Sequence, residues 1–326
     1  MFFLFFFLIF IYNIIMLEPI LLINDLNTCS LDTIKSRYRD IHAQDASGKT
    51  LLFYAVQTHR DDVLADFVSR GARLSARDDQ GETVLFEVIR RARMDLLKRL
   101  IGLQADIRQT NDLGQTPLHI AAMTGHVEMI RLLIENGAIH QQDLLGKSPI
   151  HEAVLNGKLS ALKFLVEEQQ QSVFIQTHDR LNLLHYAVMT SSVDLIDYLI
   201  SCDVDINGLS RDYDTPLHIA VRHQNQDAIR TLLYAHAFMD IMNKFKVTPV
   251  EEAQEFVALQ HVFIEFKYMP TYESHIKKYA KIMAVLNRDK AMFKKLIDLK
   301  DLDPFDRYQK KAHDYIMHYQ FQSLFK

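Results

Sequence analysis

Apolar and polar positions along this chain follow a repeating order that is clearest between Asn111 and Ala138, NDLGQTPLHIAAMTGHVEMIRLLIENGA. A polar turn holding Gly114 leads into a short apolar segment with small residues at Ala121 and Ala122. A Gly125-His126 break follows, then Ile130, Leu133 and Ile134 at helical spacing, and Gly137 closes the stretch. Apolar residues three and four apart line one face of a helix, so the pattern predicts two short helices joined by a turn. Gly114 suits a tight turn that needs positive φ. Thr116 suits a helix N-cap, and Pro117 suits the first helical position, where its missing N–H would go unpaired anyway. Gly137 suits the helix C-cap. One such unit cannot bury its own apolar face, so copies must stack.

The same order recurs at a near-constant period. The slot held by His119 reads Phe53, Phe86, His119, His151, His185, His218 and Glu251, with steps of 33, 33, 32, 34, 33 and 33 residues. The turn-glycine slot reads Gly48, Gly81, Gly114, Gly146, Arg180, Tyr213 and Lys246. The unit resembles the ankyrin repeat, whose signature is T-P-L-H-x-A at a period of about 33. The resemblance covers residues 45–253 in seven registers. It implies an all-α solenoid of stacked helix-turn-helix units with β-turn or hairpin tips and helical caps at both ends. The first two repeats depart at the histidine slot. The last three depart at the glycine slot, so their tips are expected to be less regular.

Outside the repeats the pattern predicts caps. Glu18–Asn27 and Ser30–Arg37 read as two helices ahead of the first tip, within an N-terminal cap over residues 16–44. Residues 1–15, MFFLFFFLIFIYNII, are almost wholly apolar. They read either as a hydrophobic leader or as an upstream extension of a chain that starts at Met16. No Lys or Arg precedes the apolar run, unlike a signal peptide. A span across a bilayer would need the run to continue to Ile23. Residues 254–326 read as degenerate repeat and C-terminal cap. Ala284–Ile297, AVLNRDKAMFKKLI, aligns without gaps on Ala153–Val166, AVLNGKLSALKFLV, which suggests an eighth repeat. Arg307–Leu324 reads as a closing helix. From His261 onward the chain carries 13 Lys and Arg against 8 Asp and Glu, with twelve Phe and Tyr. That is the composition of a cap or of a basic, aromatic surface.

Composition narrows the chemistry. The net charge is −4 and does not suggest a general nucleic-acid binder. Two cysteines, Cys29 and Cys202, point away from a disulfide framework and fit a reducing, cytoplasmic setting. The histidines at one slot per repeat sit about 10 Å apart in packed helices, too far to share a metal at ~2 Å ligand distances. The ankyrin resemblance makes them structural, bonding between neighbouring turns. No H-E-x-x-H, paired C-x-x-C, Walker loop or G-x-S-x-G occurs, so no catalytic site, metal or cofactor is expected.

What remains is binding. The resemblance places the contact surface on the concave face, formed by turn tips and first helices. There Leu113, Met123, Leu144, Leu145, Leu155 and Met189 would form an apolar strip, flanked by Arg90, Arg91, Arg211 and Arg222. Apolar patches rimmed by charge are a usual interface layout. The expected function is a non-catalytic, monomeric scaffold or adaptor that holds a protein partner. The rivals are an adaptor tethered to membrane through residues 1–23 or the basic tail, a bacterial effector delivered to a host cell, and an enzyme with a small C-terminal module.

Overall fold

The computed structural model describes residues 19–267 and 280–292 together with Asp314, Met317 and Tyr319. The apolar stretch 1–15, Met16, the Met269-Pro270 break and most of 307–324 lie outside the described residues. Contacts divide the chain into two compact units, Met1–Leu144 with Ser148–Glu152, and Leu145–Lys147 with Ala153–Lys326.

Two helices, Pro19–Thr28 and Leu31–Arg37, precede the first tip. Helix pairs then follow one per repeat: Leu51–Gln57 with Asp61–Ser69, Val84–Arg90 with Met94–Gly102, and Pro117–Thr124 with Val127–Glu135. Pro149–Leu155 is followed by Leu159–Lys163, and Leu183–Ala187 by Val193–Ser201. Pro216–Arg222 pairs with Gln226–Tyr234, and Pro249–Glu252 with Val257–Lys267. Within each unit first helices pack on first helices and second helices on second helices. Their facing residues, such as Leu97, Leu100, Ile130 and Leu133 in one unit and Leu199, Ile229 and Leu232 in the other, are wholly buried. Among the described residues there is no extended strand, only isolated bridges at Gln44–Thr50 and Gln176–Asn182. No described helix is long and apolar enough to cross a membrane.

The capping slot explains why Thr, Pro and His recur. In repeat six the Thr215 amide donates to His218 Nδ1 at 3.0 Å, and the His218 amide donates to Thr215 Oγ1 at 3.4 Å. Each side chain thus satisfies an N–H that the first helical turn leaves open. Repeat seven does the same with Glu251, whose carboxylate accepts from the Thr248 amide at 2.7 Å. Phe53 and Phe86 cannot accept, and Thr50 and Thr83 make no side-chain cap bond.

The tips form a ladder. In the first unit Asp79 N donates to Ser47 O, Asp112 N to Gln80 O and Leu144 N to Leu113 O, at 2.8–3.0 Å. In the second, His178 N donates to Leu145 O, Arg211 N to Asp179 O and Lys244 N to Asp212 O, at 2.7–3.1 Å. Each tip also closes on itself. Gly114 N donates to Asn111 O, while Asn111 Oδ1 accepts from the amides of Leu113 and Gln115.

The late tips correct one expectation. Arg180, Tyr213 and Lys246 adopt the same left-handed backbone as the glycines they replace, with φ of 62°, 61° and 62°. Their closing bonds, to Thr177 O, Ser210 O and Asn243 O, persist at 2.8–3.1 Å. These tips are as regular as the glycine tips and carry local strain instead, because a side chain in that region is disfavoured.

The long step of 34 residues also has a structural counterpart. In repeat four the second helix widens into a π-helix at Phe164–Glu168, which takes up an extra residue without breaking the helix. The polar exit loop that follows leaves Phe174 exposed.

The stretch aligned on repeat four keeps that repeat's local bonding. Asp289 N donates to Ala284 O as Lys158 N does to Ala153 O, and Arg288 takes positive φ where repeat four has Gly157. Its helix, Ala280–Leu286, packs Ile282, Val285 and Leu286 with Leu209, Phe238 and Ile241, the closing residues of repeats five and six.

Candidate partner-binding surface

The residue four positions beyond the capping slot falls near the end of each first helix. Read along the chain, that row is Gln57, Arg90, Met123, Leu155, Met189 and Arg222. The three central members are apolar and half-buried, whereas Arg90 and Arg222 are exposed.

In the first unit the tip residues Leu113 and Leu144 are 61% and 67% exposed, with their backbones joined at 3.0 Å. The Leu144 side chain lies over Gly114, where a Cβ would stand 3.1 Å from it. In the second unit Leu145 is 60% exposed. There Leu155 and Met189 line one open cleft of about 760 Å³, with Asn156, Thr190, Ser192 and Asp194 at its polar side. The fold therefore brings Leu155 and Met189 together and presents Leu113 and Leu144 side by side.

The arginines are held by acidic partners. Arg90 forks onto Glu82 at 2.9 Å to both oxygens and also meets Glu87, which binds Arg91 at 2.5 Å. Arg222 grips Asp214 with two bonds of 2.6 Å and reaches Glu252 of the next repeat, also at 2.6 Å. Asn243 donates to both Asp214 and Glu252. Burial raises the Asp214 carboxyl, but the bonds and charge of Arg222 outweigh it and leave Asp214 below the usual carboxylate range. Burial dominates at Glu252, which is pushed up. Arg211 pairs with Asp179 at the neighbouring tip, at 3.1 Å. The expected rim of positive charge is thus neutralised locally.

The acidic partners were missed in the sequence, although their signal is present. Glu82 and Asp214 lie four residues before the capping slot, Arg90 and Arg222 four after it, and Asn111 and Asn243 open the next tip. The same triad appears twice, with Asn111 donating to Glu82 at 3.4 Å as Asn243 does to Asp214.

The buried histidines join successive repeats. His185 Nε2 lies 3.0 Å from Asp214 O, and His218 Nε2 lies 3.1 Å from Val247 O. With Nδ1 accepting from the cap amide, Nε2 carries the proton and donates. Burial pushes both imidazoles down to about 4. Among the described residues no group of three or more His, Cys, Asp or Glu is placed to hold a metal ion.

A family model for ankyrin repeats (three copies) matches residues 85–177 and 169–244. The chain is an ankyrin-repeat protein. The crystal structure of the human ASB11 ankyrin repeat domain superposes with a TM-score of 0.61 at 22% identity, covering 68% of this chain and 100% of that one. At that identity the likeness speaks for the fold alone. No curated protein matches the chain. Ankyrin repeats are protein–protein interaction modules, so the tips and first helices described above are the surface to test.

Proposed function

We propose that this protein is a non-catalytic scaffold or adaptor that holds a protein partner against the tips and first helices of its ankyrin repeats. The observation that carries the reading is the set of exposed leucines at the tips, Leu113, Leu144 and Leu145, on turns whose backbones are pinned by the ladder of bonds. Exposed apolar side chains on a rigid frame lose little conformational entropy on binding. Leu155 and Met189 in their open cleft add a second apolar contact. The arginines, already neutralised, act as polar border and registration points rather than as attractors of an acidic partner. The partner that suits this surface presents apolar side chains to the leucines and hydrogen-bonding groups to the paired border.

The test uses the full chain as bait in a lysate pull-down read by mass spectrometry. Two variants stand beside it, Leu113→Arg with Leu144→Arg, and Leu155→Arg with Met189→Arg. A protein retained by the parent and lost with the tip variant, at unchanged urea midpoint, supports the reading. Retention of the same proteins by both folded variants refutes it.

A further inference from the structure

Glycine departures fall only in repeats five, six and seven, and two of the three replacing side chains reach the C-terminal part of the chain. The Arg180 guanidinium lies 5.0 Å from the ring centroid of Tyr319. The Arg288 guanidinium lies 4.1 Å from the ring centroid of Tyr213. Both distances are within cation–π range. Tyr319 is 3% exposed, and its hydroxyl accepts the amide of wholly buried Leu209, 110 residues earlier, at 2.9 Å. Arg288 also donates to the carbonyls of Met242 and Asn243, at 2.7 and 2.8 Å. Asn287 accepts from Met242 N at 2.7 Å and donates to Asp240 O at 2.9 Å. The attachment is therefore both apolar and directional.

We propose that residues 280–292 and Tyr319 form an intramolecular latch on the closing segments of repeats five and six, clamped by Arg180 and Tyr213. A left-handed backbone disfavours any side chain, so a contact made by that side chain offsets part of the cost. At Arg180 and Tyr213 that contact is with the latch. Release of the latch uncovers Leu209, Phe238 and Ile241 and leaves the Leu209 amide without its acceptor. Tyr213 also shares its tip with Arg211. Latch release therefore alters one border of the partner surface, a consequence that rests on the proposed function, whereas the latch itself does not.

Hydrogen exchange of the full chain, read by mass spectrometry, tests this without any partner. The variants are Arg180→Gly with Tyr213→Gly, Tyr319→Phe, and Lys246→Gly as a control for relief of tip strain alone. Glycine is the residue that tips one to four already carry, so the double variant retains a foldable tip. The expected result is exchange about tenfold faster across 280–292 in the double variant. In Tyr319→Phe the Leu209 amide exchanges about tenfold faster, and in Lys246→Gly neither region changes. Unchanged exchange across 280–292 in the double variant overturns the clamp. Unchanged exchange at Leu209 in Tyr319→Phe overturns the docking of Tyr319.

Discussion

Acidification from pH 7.5 to 5.0 should weaken this protein through two histidines that never see solvent. His185 and His218 are held neutral, with burial lowering both to about 4, while an unfolded chain titrates its histidines near 6.5. Between those values the unfolded state binds protons that the folded state refuses. The stabilisation is therefore complete above pH 6.5 and is lost as the pH falls towards 4. At pH 5.0 the linkage amounts to about 2 kcal/mol for each histidine, about 4 kcal/mol for the pair. Burial lowers His140 in the same direction. The assay is equilibrium urea unfolding followed by circular dichroism at pH 7.5, 6.0 and 5.0, with the m-value checked for constancy. A second protein, His185→Phe with His218→Phe, copies the capping slot of repeats one and two. It should be weaker than the parent at pH 7.5 by about 1–2 kcal/mol, from the lost caps. It should keep only the smaller pH dependence left by groups such as His140, so the order reverses and the variant is the more stable by about 2–3 kcal/mol at pH 5.0. A parent that loses less than about 1 kcal/mol over this range refutes the reasoning, as does a variant that keeps the full dependence.

Three further outcomes are expected. Gly146→Ala should cost about 2 kcal/mol or more in urea unfolding, because φ is +78° and a Cβ would stand 2.7 Å from His178 N. Gly71→Ala, with φ of +92° and nothing within 4 Å, should cost less, and equal costs would remove the packing argument. Arg222→Ala should destabilise by about 1–2 kcal/mol, since it removes two bonds to the buried Asp214 carboxylate and the link to Glu252. A variant as stable as the parent would make the triad ornamental. Lys246→Gly should raise stability by about 1 kcal/mol by relieving the left-handed tip, and a loss would show that the lysine side chain contributes there.

The amino-acid sequence by itself determined the period, the helix pairs and the tips. It could do so because the signals are local. A Thr-Pro start, an acceptor at the third helical position and a turn residue with positive φ all act within a few residues, so they are legible wherever they recur. The histidine slot was legible as a recurring position, and the ankyrin resemblance implied its bonds between neighbouring turns, but its local cap with Thr215 was not read. The apolar tips were legible as residues of an expected strip, Leu113, Leu144 and Leu145, but the degree of their exposure came from the structure. The rim arginines left a signal for their partners, Glu82 and Asp214 eight residues before Arg90 and Arg222, but the bonds that carry those partners to the next repeat left none. Glu82 with Asn111, and Asp214 with Asn243, meet 29 residues apart, because stacking sets one repeat beside the next. The reach of Tyr319 to Leu209 belongs to the same class. Only the tertiary structure decided them, since such contacts depend on where stacked backbones place residues far apart in sequence, and no local propensity encodes that distance.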